Sequence, residues 1–433
     1  MEASRGGAAT RREGVHGAPR LTVQRIELSF AEARARAVES LSSLPAVVLP
    51  LARCAGRALR RDAVAPHALP PFRNSAMDGW AVRAADLSRA SASTPVTLRV
   101  AGALPAGTVS AKALGPGEAM RIMTGAMPPE GADAVVPFED AESGADGNGE
   151  TMTARRPSEP GDHLRPAGAD VGPAERVLAE GRELSAHDLA LLAALGLSEL
   201  EVSPAPRVAV ISTGDELLDP AEPLRPGALR DSNLGMLTLL ATQAGAEVAI
   251  AERLPDDPGR VAARIHEAIA TCDAVLTIGG VSAGDFDPVK LALSRLGEVE
   301  LWRVAMRPGR PQAHGRPKGR FFHGLPGNPA SVACVFEALV RPALRRLQGF
   351  ADLDRPRAPV RIAREIESRP GRTDFVRCTL GWREGELWAL PAGGQVSGHL
   401  APQSRAHALV IVPAEAPGLR EGESAEALVL RLP

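Results

Sequence analysis

In the middle third of the chain, acidic residues, glycines and arginines recur just after short apolar runs. Ser212-Thr213-Gly214-Asp215-Glu216 follows one run and Asp256-Asp257 the next. Gly279-Gly280-Val281-Ser282-Ala283-Gly284 follows a third, with Asp285 and Asp287 just beyond. Arg307-Pro308-Gly309-Arg310 and Gly324-Leu325-Pro326-Gly327-Asn328-Pro329 follow later ones. Glycines let backbone N–H groups approach a phosphate closely. Glu216, Asp256 and Asp287 are hard oxygen ligands able to share Mg²⁺, which favours carboxylates and substrate phosphates. Arg303, Arg307 and Arg310 supply planar, permanently charged forks suited to oxyanions. The set therefore supports handling of an anionic, phosphate-bearing ligand beside a metal ion. Taken singly, each member has a plainer role. A Gly-Gly turn is a tight connection, Asp257 a helix cap, and an arginine a solvated charge. Asp78 and Thr124, likewise, read alone as a turn residue and a β-domain hydroxyl. Recurrence of the first set at corresponding points is what favours a shared site.

Those points need elements to carry them. Val208–Ser212, 247–254, 274–278, 299–305 and 320–323 read as strands. Helices are expected over 233–244, from Asp257-Pro258 onward, and over 288–296, with Asp257 as cap and Pro258 in the first turn. Asn328 is expected to cap the last helix, with Pro329 in its first turn. Alternating strands and helices mark an open, doubly wound, mostly parallel sheet, which binds ligands at the carboxyl ends of its strands. All the polar clusters would then share one edge. Elsewhere, Ser29 and Glu32 form a capping box opening a helix toward Leu41, and Ser185 starts a helix that Gly196 stops. Residues 94–137 alternate apolar and polar with frequent Gly and Pro, a small β-rich region in which 96–100 is one clear strand. Residues 141–149 read as a mobile loop tip, and 352–433 as a second small β domain. The fold class is α/β plus β. Its parts are a tail at 1–22, a helical linking domain at 23–71 and 166–200, a β-rich arm at 72–165, an α/β domain at 201–350 and a C-terminal β domain at 351–433.

The chain has 433 residues, enough for several domains, and a formal net charge of −2. Near-neutrality and the absence of tyrosine disfavour nucleic-acid binding. Four dispersed cysteines, Cys54, Cys272, Cys334 and Cys378, form no CxxC pair, which argues against a structural zinc or a disulfide framework and suits a reducing cytoplasm. The N-terminal stretch lacks the apolar run of a signal peptide, and no segment reads as a membrane span. The nine histidines show no metal-ligand spacing.

Longer motifs carry a resemblance. Pro71-Phe72-Arg73-Asn74-Ser75-Ala76-Met77-Asp78-Gly79-Trp80-Ala81 is similar to the PxFxNSAMDGYA segment of the MoeA family, which includes the E domain of gephyrin. Arg121–Ala126 resembles its RIMTGA segment, and Ser212–Leu217 its STGDEL. Asp231-Ser232-Asn233, Gly279-Gly280-Val281-Ser282, Pro308-Gly309-Arg310-Pro311 and Gly324–Pro329 follow in order. Several ordered motifs are far more specific than one glycine pattern.

The resemblance, which spans residues 24 to 433, implies an elongated, homodimeric molybdenumtransferase with a MogA-like, molybdopterin-binding α/β domain. Its substrates would be adenylylated molybdopterin and molybdate, its cofactor Mg²⁺, and its product the molybdenum cofactor, with AMP released. The adenylyltransferase that makes the substrate and the apo-molybdoenzymes that take the product are implied partners. Glu216, Asp256 and Asp287 would hold the metal and pyrophosphate. Thr213, Gly214 and Ser282 would line the pterin-phosphate pocket, with Pro326 and Pro329 shaping it. Arg303 and Arg307 would attract molybdate. Asp78 and Thr124 would act from the arm of the other subunit. Arg165 and Asp170 lie in a segment resembling the family's R-x-x-G-x-D run, and Ser397 in one resembling a GS turn of the last domain. The chain departs from the family where Arg303, Arg307 and Arg310 stand at positions often held by lysine, where Trp80 replaces Tyr, and where Asp287-Pro288 replaces Asp-Tyr. Other readings are an adenylyltransferase, which would need only the α/β domain, a scaffold without activity, and a tungsten-specific relative.

Overall fold

The computed structural model describes residues 25–147, 149–281 and 298–432. The expected tail, Ser282, Asp287 and the helix expected over 288–296 lie outside the described residues. The chain forms two compact units, one running to Ala46 and resuming at Ser203, the other Val47–Val202.

The first unit is built on one long sheet. Its α/β part runs in the order Glu247–Leu254, Arg207–Thr213, Ala274–Ile278, Phe321–Leu325, Pro311–Gly315, Val299–Arg307. The first four strands are mutually parallel. Pro311–Gly315 is antiparallel to both its neighbours, so the sheet is mixed at this side. That strand is not evident in the sequence, because Pro-Gln-Ala-His-Gly has no apolar alternation; it is buried on both faces by small and polar side chains. Helix Asn233–Gln243 and the helix beginning Pro329–Val335 cover one face through Leu237, Ala241 and Val332. Helix Pro258–Thr271 covers the other through Val261, Ile265 and Ile269. This is the doubly wound arrangement expected of alternating strands and helices.

Local signals explain the helix starts. Asp257 accepts from the N–H groups of Gly259 and Arg260, with Pro258 in the first turn. Ser29 and Glu32 form a reciprocal capping box on helix Phe30–Arg34, which continues as a π-helical turn, Ala35–Glu39. Asn328, by contrast, makes no side-chain cap; its carbonyl accepts from the N–H groups of Ser331 and Val332.

Just before that first helix, Arg25–Ser29 forms a strand parallel to Val299–Arg307, pairing residues 301 to 305. Thr373–Arg383 then pairs with the end of the same strand, Met306 opposite Thr373 and Arg307 opposite Asp374. Through this short contact the sheet continues into the C-terminal strands, whose core holds Val360, Ile362, Val376, Cys378 and Val410.

The unit Val47–Val202 contains a six-stranded sheet, in the order Ala134–Pro137, Gly79–Val82, Glu118–Ile122, Val96–Leu104, Gly149–Ala154, Ala141–Asp146. The last two strands form a hairpin where the polar sequence reads as a loop. Its backbone ladder, rather than apolar side chains, defines it, since Ala141–Asp146 is largely exposed. Helix Ala186–Ala194 opens with a Ser185–Asp188 capping box, and Gly196 follows its end at φ +74°.

Candidate functional site: a carboxylate edge and an arginine-lined cavity

The parallel strands place the expected clusters at their carboxyl ends. Gly214 lies after Arg207–Thr213, Asp256 after Glu247–Leu254, Gly279 after Ala274–Ile278 and Pro326 after Phe321–Leu325. Loop backbones tie these ends together. Gly214 N–H donates to the Leu254 carbonyl at 3.3 Å and Gly279 N–H to the Leu325 carbonyl at 3.0 Å. Gly279 has φ +86°, and a Cβ there would stand 3.2 Å from the Thr213 carbonyl, so the turn requires glycine. Thr213 is buried, its hydroxyl 3.5 Å from the Ile278 carbonyl.

Two of the three expected metal ligands are present at this edge. Asp256 and Asp215 grip each other through the backbone. The Asp256 N–H donates to Asp215 Oδ1 at 3.1 Å, and the Asp215 N–H to Asp256 Oδ2 at 3.4 Å. The Glu216 carboxylate folds back over Gly214, where an added Cβ would meet its oxygens at 2.7 and 2.8 Å. Both Glu216 and Asp256 are solvent-accessible hard oxygen donors. That donor set fits Mg²⁺, which takes one or two carboxylates and completes its shell with water and phosphate oxygens. Among the described residues no group of three or more acidic, His or Cys side chains forms a closed cation site.

A cavity of about 780 Å³ opens along the strand Val299–Arg307. Alternation along the strand turns Val304 and Met306 into the core and Arg303, Ala305 and Arg307 outward to the cavity. Arg310, Pro326, Asn328 and Ser397 join the lining, as do Arg369 and Arg372 from the turn just before strand Thr373–Arg383. Among the described residues, five arginines thus line it, against a single carboxylate, Glu27. The cavity adjoins the carboxylate edge through one loop. Pro326 and Asn328 line it, and between them Gly327 packs beside Gly279, where a Cβ added to Gly327 would lie 4.0 Å from the Gly279 Cα. Asn233 fixes that loop, donating from Nδ2 to the Gly327 carbonyl at 2.7 Å. Asp231 in turn caps the helix through Oδ1, accepting from Asn233 and Leu234.

Arg369 and Arg372 are invisible to motif reasoning at this sequence distance. They arrive because the register sets Asp374 opposite Arg307. Asp374 is buried and accepts from Arg307 at 3.3 Å, Arg372 at 2.9 Å and the Ser368 hydroxyl at 2.9 Å. Ser397 is fixed through its carbonyl, which accepts from Ala330 at 3.0 Å. Its loop is clamped by the buried Arg377, which donates to the carbonyls of Gly394, Val396 and His399. Pro329 opens the helix beside this loop but is not part of the cavity wall.

The scattered histidines conceal one cluster. His323 Nε2 meets Gln312 Oε1 at 2.9 Å, and His314 lies 3.3 Å from His323 through the Nδ1 atoms. Gln312 Nε2 donates onward to the Gly309 carbonyl, in the loop between Arg307 and strand Pro311–Gly315 that carries Arg310. Burial pushes His314 down to about 3, with nearby Arg316 adding to the shift, and burial likewise pushes His323 well down, so both rings are neutral supports.

In the other unit, Asp78 and Thr124 come together. Asp78 Oδ1 accepts from the Thr124 N–H at 2.6 Å and its hydroxyl at 2.7 Å. These two bonds, the backbone one first, hold the exposed Asp78 carboxyl below its ordinary range. Gly79 is required beside it, since a Cβ would lie 2.2 Å from the Val136 carbonyl oxygen. Trp80 fills the core edge-on to Phe138 at 5.3 Å. Arg165 and Asp170 are exposed; Arg165 pairs with Asn74 on a short ladder, and the Asp170 N–H donates to Leu69.

No helix among the described residues is long and apolar enough to cross a membrane. Three family models match in chain order: the MoeA N-terminal region (domain I and II) over residues 28–196, a probable molybdopterin binding domain over 209–346, and the MoeA C-terminal region (domain IV) over 359–430. A protein of Mycobacterium tuberculosis H37Rv named molybdopterin molybdenumtransferase 2 is 40% identical over 381 residues, covering 87% of this chain and 93% of its own length. The molybdopterin molybdenumtransferase of Bacillus subtilis is 35% identical, covering 87% of each chain. A crystal structure of a molybdopterin biosynthesis MoeA protein from Pyrococcus horikoshii matches with a TM-score of 0.78 at 32% identity, over 93% of this chain and 99% of that one. Motifs, sheet order and these matches agree, and the chain belongs to the MoeA family.

Proposed function

We propose that the chain inserts molybdenum into adenylylated molybdopterin, taking molybdate as co-substrate and releasing AMP. The observation that carries this reading is the five-arginine cavity joined by one loop to the carboxylate edge. A doubly charged oxyanion suits the first, and a Mg²⁺-bound pyrophosphate suits the second.

The roles follow from position. Thr213, Gly214 and, by its place in the motif, Ser282 line the pterin-phosphate pocket. Glu216 and Asp256, with Asp287 by motif, would hold Mg²⁺, which supplies charge neutralisation at the phosphate oxygens. Arg303 and Arg307 draw in molybdate, with Arg369, Arg372 and Ser397 closing the cavity and Pro326 and Pro329 shaping its loop. Water attacks the phosphoanhydride phosphorus and AMP leaves with its phosphate, while molybdate binds the two dithiolene sulfurs and gives up one oxygen, which leaves as water with the two thiol protons. Fixed positive charge aimed at the oxygens is the protein's main contribution. Asp78 and Thr124, with Arg165 and Asp170 in the same unit, act on the cleft of a second subunit, so the working form is a homodimer. Asp78 stays ionised there because Thr124 donates twice to it.

The test is reconstitution. The purified chain, given adenylylated molybdopterin, Mg²⁺ and molybdate, should yield cofactor that activates an apo-molybdoenzyme. Activation that is equal without the chain would refute the reading. A sedimentation mass of one chain at working concentration would refute the dimeric site.

A further inference from the structure

Two carboxylates face the cavity arginines, and they are placed by the same device. Val299–Arg307 is flanked on one edge first by Arg25–Ser29 and then by Thr373–Arg383. The parallel register sets Glu27 opposite Arg303 and Asp374 opposite Arg307. The outcomes differ sharply. The Asp374 side chain is 3% exposed and sits within 3.3 Å of Arg307 and 2.9 Å of Arg372. The Glu27 side chain is 71% exposed, and one oxygen lies 3.5 Å from Arg303 and 3.8 Å from Arg310. Asp374 is a fixed strut. Glu27 is a loosely held negative charge inside the anion cavity itself.

We infer that Glu27 is a built-in competitor for the oxyanion: it occupies Arg303 and Arg310 in the empty cavity and must swing aside as the anion enters. This rests on the reading of the cavity as the oxyanion site. An exposed pair at these distances is weak and screened, so displacement is easy. The remaining negative charge nevertheless opposes the ligand and lowers its affinity. Glu27 therefore sets the oxyanion concentration at which the cavity fills and disfavours weakly held anions. Asp374 acts in the opposite sense, as a positioning residue that keeps Arg307 and Arg372 aimed at one point.

The experiment is calorimetric titration of the full chain with sodium molybdate and with sodium tungstate at low ionic strength. Glu27→Gln should bind both on the order of three- to tenfold more tightly than the unsubstituted chain. The gain should shrink at roughly 1 M salt, where screening acts within about 3 Å. A purely structural role for Glu27 would not show that salt dependence. Glu27→Ser should behave like Glu27→Gln, while Asp374→Asn should bind more weakly. Unchanged or weaker binding by both Glu27 variants, with the unsubstituted chain binding well, overturns the inference and leaves the cavity assignment standing. No binding by the unsubstituted chain at millimolar oxyanion overturns the cavity assignment, and the inference with it.

Discussion

The arginine cavity carries its own counter-charges, set by strand register, whereas among the described residues the carboxylates of the edge are met only by backbone amides. In the cavity, Asp374 accepts from two arginines that lie far apart in sequence, and Glu27 rests against two more. At the edge, Asp256 and Asp215 bond each other's N–H groups and leave their remaining oxygens to solvent. The contrast follows from what each region is proposed to bind. Arginines packed together repel unless opposed, so an oxyanion site that is formed in advance needs internal acids. A cation site that receives half its ligands from substrate phosphates and water can wait for them. On the proposed reading, the cavity suits a small oxyanion alone, and the edge a metal that arrives with a substrate.

The strongest way to break this comparison is to neutralise the edge. Glu216→Gln or Asp256→Asn should lower the rate of AMP release about a hundredfold or more, with molybdate affinity by calorimetry unchanged. A parallel loss of molybdate affinity would merge the two regions into one. Next in size, Arg307→Ala should raise the molybdate concentration for half-maximal rate about tenfold or more, with little change at saturation. An unaltered molybdate dependence would place the anion elsewhere. Asp374→Asn should then cost about 1.5–3 kcal/mol of folding stability, because it weakens charge-assisted bonds in a buried place. Denaturant titration measures this, and a loss below about 0.5 kcal/mol would show that the strut is dispensable.

Smaller effects sharpen the account. Thr124→Val removes the hydroxyl donor but keeps the backbone one, so the Asp78 carboxyl should move part of the way back up toward its ordinary value. Carboxyl-resonance titration by NMR reads this directly. An unmoved Asp78 would assign its depression to the backbone bond alone. The buried His314–His323 pair gives a pH signature. The folded value of His314 lies far below the unfolded one, so the stability it contributes is present above about 6.5 and is lost as pH falls toward about 3. The unfolding midpoint should drop across that window, and less so in Gln312-intact variants with both histidines replaced by Phe and Leu. Equal acid sensitivity in those variants would show that other groups dominate it.

Much of the α/β region is legible in the sequence alone. Strands 247–254 and 274–278 appear at the boundaries read from their apolar runs, and Asp257 and Ser29 cap helices as their types require. Asp78 and Thr124 can be named from motifs, yet only the fold shows that they bond each other. What stays hidden has a physical reason in each case. Pro311–Gly315 carries no period-two pattern because both its faces are buried. The 141–154 hairpin is an exposed edge, defined by backbone pairing that its polar side chains do not advertise. Arg369, Arg372 and Asp374 reach the cavity through a two-residue parallel contact between distant strands, which no local signal encodes. Glu27 meets Arg303 only because strand Arg25–Ser29 pairs with Val299–Arg307, a partner on the far side of the whole second unit in chain order.

The most direct measurement is AMP release from adenylylated molybdopterin with Mg²⁺, in the presence and absence of molybdate. The account predicts AMP that appears only when Mg²⁺ and molybdate are both supplied, and that is lost in Asp256→Asn. A folded chain that releases no AMP under either condition, or releases it equally without molybdate, would contradict the claim that the cavity and the edge, each with its own ligand, serve one reaction.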